Sequence, residues 1–270
     1  MQGLNALRTY AETANPAADI PPSTLLLETP HCIAIFDAYP KARYHFLVLP
    51  RLPCDHLDSS SPPITARDLD SLASLLRHPA RDAVLAAVRD AATEVQEMIR
   101  DEMHKTEGWQ WPVSVPVTLA GLASSRGLSI PFTRLWLRIS SPGRTLPAET
   151  NAHVLPPLPR LAGFHAVPSM RHLHLHVMSN DLASPSLKTK KHYNSFRPDH
   201  GFFISLAEVE SWCSDPGVAE RQAGMLESRE QLLRDPLVCF KCHAEFRNMP
   251  LLKEHLEAEL AKERRAAGRN

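Results

Sequence analysis

The chain reads as an α+β protein: an antiparallel sheet with flanking helices, followed by a small module with metal-ligand spacing. Three observations predict this. Short apolar runs separated by tight turns occur early in the chain and again after residue 162, and runs joined by short connections pair antiparallel. Between them, residues 66–77 and 81–104 carry apolar side chains at helical spacing. Near the C-terminus, Cys239-x2-Cys242 is followed by His255 and then Glu259, four residues on.

At 270 residues the chain has room for one or two domains and a sizeable core. Lys+Arg and Asp+Glu are both 30, so no global field favours nucleic acid and any basic patch is local. Cys32, Cys54 and Cys213 are scattered, unlike a disulfide framework. No apolar run is long enough for a membrane span, and the N-terminus lacks the basic and apolar pattern of a secretory signal. A reducing compartment, cytosol or nucleus, is expected.

Residues 3–13 read as a short helix ended by Asn15-Pro16. Thr24–Glu28, Cys32–Phe36 and Tyr44–Leu49 read as strands, with a turn at Asp37-Ala38-Tyr39-Pro40. Residues 54–65 read as loop. In the helices 66–77 and 81–104, Leu69, Leu72, Leu75 and Leu76, then Val84, Val88, Ala91, Val95, Met98 and Ile99, form core-facing stripes. Residues 113–162 contain seven prolines, one acidic residue and no lysine, with only Leu135–Ile139 resembling a strand. A loop of that length is improbable inside a compact domain, so the stretch is expected to be a disordered insertion or a gene-model artefact. Gly163–Val167 and His172–Met178 read as strands, Ser184–Phe196 as a basic loop with hydroxyls, and Phe202–Ser205 as a short strand. Leu206–Cys213 and 218–233 read as connecting helices before the second module, which starts near Pro236.

Within Met170–Met178 the histidines 172, 174 and 176 alternate with apolar residues. In a strand they share one face, while Leu173, Leu175 and Val177 fill the other. A row of imidazoles can attack, move protons or bind metal at neutral pH. Three readings stand: an exposed or scavenging His strand, a metal site using two imidazoles, or nucleophilic catalysis by His174 with His172 and His176 holding its ring.

At the C-terminus the two cysteines fit a knuckle, and His255 and Glu259 at i and i+4 share a helix face. The donor set Cys239, Cys242, His255 and Glu259 predicts a structural zinc ion, with Phe246 and Leu252 as its small core. Carboxylate is a competent, if unusual, fourth ligand. A haem-attachment motif at Cys239–His243 and a helical tail with two free cysteines are the competing readings.

The pattern His-φ-His-φ-His-φ-φ, with φ apolar, resembles the histidine triad superfamily of nucleotide hydrolases and transferases, and implies the histidine triad fold. With a finger behind it, the chain resembles the aprataxin family of DNA repair enzymes, in its fungal form without a forkhead-associated domain. Asp37–His45 is similar to that family's first nucleotide-binding turn, Gly163–Met170 to the run into its catalytic strand, and Ser184–Phe196 to its basic loop. The likeness covers residues 1–112 and 163–262, and residues 113–162 have no counterpart. It implies a histidine triad catalytic domain over 1–205, a helical connector over 206–235, a zinc finger over 236–262 and a basic tail over 263–270.

The resemblance also implies removal of AMP from adenylated 5′ ends of DNA left by abortive ligation. His174 would be the nucleophile that forms a covalent His–AMP, His165 the general acid, and His172 and His176 the positioning groups. Asp37 would hold the ribose hydroxyls. Ser169, Lys41, Lys188, His192 and Ser195 would hold phosphates, with backbone contacts from Lys253, Lys262, Arg264 and Arg265. Leu7 or Tyr10 would meet the exposed base stack. Zinc would be structural, catalysis would need no cofactor, and the protein would be a monomer of the nucleus, with the cytoplasm as a second location, without membrane contact. The alternatives are a hydrolase of small adenosine phosphoramidates or dinucleotides, and a non-catalytic zinc-finger protein that binds nucleic acid.

Overall fold

The computed structural model describes residues 3–54, 62–107 and 160–267. Six strands form one sheet: β1 (Leu25–Glu28), β2 (Cys32–Phe36), β3 (His45–Pro50), β4 (Arg160–His165), β5 (Leu175–Ser179) and β6 (Phe203–Ser205). Their order is β1-β2-β3-β5-β4-β6, and every neighbouring pair is antiparallel. The late strand β5 thus enters between β3 and β4, where both its edges are paired and both its faces buried. That setting suits a run of Leu, Val and Met with histidines between them.

One face packs on α4 (Arg81–Glu107) and on α3 (Leu72–Leu76), whose N-terminus is capped by the Ser71 side chain accepting from the Ser74 N–H. Val84, Val88, Val95 and Ile99 meet Val48, Leu175 and Val177 in this core. Each side chain so buried contributes about 1.5–3 kcal/mol relative to exposure. On the opposite face, α1 (Ala6–Ala11) and α2 (Pro16–Asp19) cover the β1–β3 end, where Leu7 and Ile20 join Ile33, Ile35, Leu47 and Leu49. The β4–β5 end of that face is covered by α5 (Lys190–Phe196), whose N-cap is Thr189.

The chain continues through α6 (Leu206–Cys213), α7 (Pro216–Met225) and a 3-10 helix over Glu227–Arg234. A two-stranded ribbon follows, β7 (Leu237–Val238) and β8 (Glu245–Phe246), and then α8 (Met249–Ala267). Leu252 and Leu256 of α8 share one buried cluster with Tyr193 and Phe196 of α5 and Met178 of β5, and Phe246 packs against it. The finger's apolar core is therefore continuous with the sheet's covering helix. Among the described residues, no helix is long and apolar enough to cross a membrane.

Several boundaries differ from the sequence reading. The stretch 66–77 is helical only over Leu72–Leu76, because Ser71 caps the chain there. Residues 218–233 divide into α7 and the 3-10 helix. The second half of Ser184–Phe196 is α5, since Thr189 caps it and Tyr193 and Phe196 supply a buried side. Arg160, Leu161 and Ala162 belong to β4, paired with Ser179, Met178 and Val177, so the expected insertion 113–162 overlaps the sheet by three residues. The rest of it, 113–159, including the expected strand Leu135–Ile139, lies outside the described residues, as does 55–61 of the loop 54–65.

Candidate active site and metal centre

Strand register assembles the imidazoles. His176 lies opposite Leu47 of β3 on one side and Gly163 of β4 on the other. Register partners share a face, and the two-residue period carries that face to His45 on β3 and His165 on β4. Gly163 leaves the space: a Cβ there would stand 2.5 Å from the Phe203 ring and 2.6 Å from the Ile204 carbonyl oxygen. His165 and His176 have ring centroids 4.4 Å apart, and His174 and His176 have theirs 4.9 Å apart.

The expectation of one strand from His172 to Met178 needs correction. The strand starts at Leu175, and His172 has φ +86°, so His172 and His174 approach through an irregular bend. A positive φ at a non-glycine residue costs free energy and is held by its surroundings. Here the buried His172 ring is fixed by Nε2 donating to the Pro50 carbonyl at 2.7 Å.

Partners with a single hydrogen-bonding role assign the tautomers. The His172 carbonyl lies 2.8 Å from His174 Nδ1, so Nδ1 carries the proton and Nε2 keeps its lone pair. The Lys41 backbone N–H donates to His45 Nδ1 at 3.0 Å, which places the His45 proton on Nε2. His45 Nε2 then donates to His176 Nδ1 at 2.9 Å, leaving an N–H at His176 Nε2. That atom is buried without a partner, as is His165 Nε2. Orphaned buried polar atoms are uncommon, and here they stand together beside a lone-pair nitrogen.

Burial keeps the rings neutral. It pushes His45 and His172 down to about 4, lowers His174, and holds His165 and His176 well below the ordinary imidazole range. The Ser195 backbone bonds to His165 and opposes that shift, while neighbouring imidazoles reinforce it. His165 as it stands is therefore a neutral ring.

The structure brings most of the other predicted residues to the same place. Asp37 lies 3.6 Å from His45 Nε2 and accepts from the Tyr39 N–H at 2.6 Å. Lys41 has its ammonium on the Tyr39 carbonyl, and burial lowers its pKa. The Lys188 N–H donates to His192 Nδ1 at 3.4 Å, and burial with nearby Lys41, Lys188 and Lys191 disfavours charge on His192. The Ser195 hydroxyl is turned into its own helix, donating to the His192 carbonyl at 3.0 Å. Ser169 is exposed at the bend before the histidines. Leu7 is buried in the core, and Tyr10 packs beside it.

Two residues received no role of their own in the sequence reading. His45, given there only as the last residue of the run Asp37–His45, closes the proton chain to His176. Phe196 lays its ring against His165, His45 and His176 with centroids 4.5, 5.3 and 5.0 Å away.

At the finger, donor atoms of Cys239, Cys242 and His255 lie within 4.8 Å of one another, with Cys242 Sγ 3.2 Å from His255 Nε2. Two thiols and an imidazole converging on one point fit zinc. Glu259 does not join them in this structure: its carboxylate accepts from Lys262 at 2.6 Å, which lowers its pKa. It stands one helical turn from His255, and its competing partner is a flexible exposed lysine. A second donor cluster, Asp37, His45 and His176, is already joined by the His45–His176 hydrogen bond.

Comparison with known proteins agrees with this architecture. Residues 199–262 match the model of the C2HE / C2H2 / C2HC zinc-binding finger, and residues 144–192 match that of the scavenger mRNA decapping enzyme C-terminal binding family. Aprataxin of Danio rerio is 44% identical over 98 residues, covering 36% of this chain and 28% of the relative. Aprataxin of Ciona intestinalis is 30% identical over 178 residues, covering 64% of this chain and 44% of the relative. The chain thus spans less than half the length of these curated relatives. A crystal structure of the aprataxin ortholog Hnt3 in complex with DNA superposes with a TM-score of 0.60 at 20% identity, over 98% of both chains. The sheet with its histidines and the C2HE-type finger behind it thus share the fold of the aprataxin ortholog Hnt3, and the chain is similar to the aprataxins over the residues matched.

Proposed function

We propose that the protein removes AMP from the adenylated 5′-phosphate of DNA. One observation carries this reading: the His174 tautomer, with Nδ1–H on the His172 carbonyl, leaves Nε2 as a lone pair, on a ring whose centroid is 4.9 Å from that of His176 with its unpartnered Nε2–H. A lone pair next to a preorganised donor is what in-line attack on a phosphorus atom requires. Relatives named aprataxin, and a structural neighbour bound to DNA, point to the substrate class.

In the first step His174 Nε2 attacks the adenylate phosphorus, forming a P–N bond. The P–O bond to the DNA phosphate breaks, and 5′-phosphate DNA leaves. His176 Nε2–H donates to a non-bridging oxygen as charge shifts onto the leaving phosphate. His165 serves as general acid once the incoming phosphates raise its pKa, because nearby negative charge favours the imidazolium. Water then breaks the P–N bond, releasing AMP and restoring His174. Asp37 binds the ribose hydroxyls, and Ser169, Lys41, Lys188, His192 and Ser195 line the phosphate path.

A zinc ion in the finger, held by Cys239, Cys242 and His255 with Glu259 turned from Lys262 to complete the set, fixes the fold and takes no part in the chemistry. Lys253, Lys262, Arg264 and Arg265 add backbone contacts that carry no base preference. The protein acts as a monomer, in the nucleus.

The test offers purified protein two substrates: a nicked duplex with a 5′-adenylate, and an adenosine phosphoramidate. Conversion of the nick to a ligatable 5′-phosphate at the higher kcat/KM supports the reading. Efficient cleavage of the small substrate alone transfers the assignment to the small-nucleotide hydrolases.

A further inference from the structure

Helix α5 touches both chemical centres of the molecule. At its middle, the hydroxyl of the buried Tyr193 donates to the Val238 carbonyl at 2.9 Å and accepts from the Phe240 N–H at 3.1 Å. These two backbone groups flank Cys239, so one phenol oxygen clamps the knuckle that bears the first thiol. Asn194 of the same helix donates to the Asp235 carbonyl at 2.9 Å, just ahead of the knuckle. At its C-terminal end, the Ser195 backbone bonds to His165, and the Phe196 ring meets His45, His165 and His176 edge-on. Tyr193, Phe196 and Cys239 sit in one buried cluster.

The helix has only seven residues, with its N-cap made by Thr189. Tyr193 and Phe196 stand three residues apart on it, within one helical turn, and both are buried. A displacement of the knuckle therefore reaches Phe196 and the Ser195 backbone with no soft element between.

We propose that Tyr193 is a positioning residue that couples the metal-binding knuckle to the imidazole cluster through α5. Occupancy of the Cys239 site then sets the placement of His165 and His176, and not only the finger's own fold. The geometric part rests on the contacts above; its kinetic consequence rests on the proposed activity.

The test uses the full zinc-loaded chain and Tyr193→Phe, which keeps the ring and removes only the hydroxyl. Long-range proton–nitrogen spectra follow the imidazole signals of His165 and His176 before and after zinc removal by a chelator. In the wild type, zinc removal should shift both sets of signals. In Tyr193→Phe the signals should already be shifted, the further response to the chelator should be lost, and zinc should pass to a chromogenic chelator on the order of 30-fold faster, the loss of the two hydrogen bonds of the hydroxyl. With an adenosine phosphoramidate, which needs no DNA contact, kcat should fall while KM stays constant. Equal chelator-induced shifts in both proteins, or no shift in either, overturns the coupling, even if zinc release is faster. If the signals behave as stated but no adenylate is turned over by the wild type, the coupling stands and the proposed activity fails.

Discussion

His45 Nε2 stands 2.9 Å from His176 Nδ1, and with the Lys41 N–H seated on His45 Nδ1 this contact fixes the tautomer of both rings. The chain begins at the Lys41 backbone N–H and ends at an unshared N–H on His176 Nε2. His45→Ala removes the donor and lets the His176 proton settle on either nitrogen. Turnover of an adenylated substrate should fall on the order of 10²-fold, the scale of a lost acid–base group. Steady-state kinetics with an unchanged circular dichroism spectrum would check this.

Stability should depend on pH in a defined window. His45 and His172 start from an ordinary value of 6.5, and burial takes both to about 4. The unfolded chain binds these protons first as the pH falls, so the neutral rings' contribution is complete above pH 6.5 and is lost towards pH 4. Within the window each ring alone contributes a slope of about 1.4 kcal/mol per pH unit. Denaturant melts across that range should show falling stability, and a His172→Asn variant should show a shallower slope.

Phe196 is 4% exposed and forms the wall against three imidazoles. Phe196→Ala should cost about 3–5 kcal/mol by leaving a cavity. It should also wet the pocket and raise the depressed pKa of His165 and His176, since water restores the charged form. Urea unfolding and imidazole titration by NMR measure the two effects separately.

Metal retention should rank the finger residues. Cys242→Ser removes a thiolate from the converging set and should abolish stoichiometric zinc. Glu259→Ala should weaken zinc while retaining binding, because its carboxylate must first leave Lys262. Lys262→Ala should strengthen retention for the same reason. Elemental analysis after dialysis against a graded chelator series orders the four proteins.

Much of the site was legible because it follows short periods. The alternation through His172, His174 and His176, and the Cys-x2-Cys with His255 and Glu259, are local patterns. What was not legible depends on distant chain. His45 meets His176 across 131 residues of sequence, and a lone histidine in an apolar strand carries no mark of that partner. The left-handed turn at His172 goes with a ring held on the Pro50 carbonyl, another long-range contact, so period alone made the strand too long. Likewise the helix in the basic loop comes from Thr189 capping and from burial of Tyr193 and Phe196 against the finger, which a polar composition hides. The pairing of Glu259 with Lys262 is a rotamer choice, beyond what spacing can give.

The most direct test of the central claim is to trap the covalent intermediate. A nicked duplex labelled at the adenylate phosphorus would be mixed with excess full-length protein, quenched in alkali and digested for mass spectrometry. AMP attached to the peptide bearing His174, at Nε2, and absent from His174→Ala is the predicted result. Full conversion of the nick to 5′-phosphate with no label on protein at any time, or conversion undiminished in His174→Ala, would contradict it.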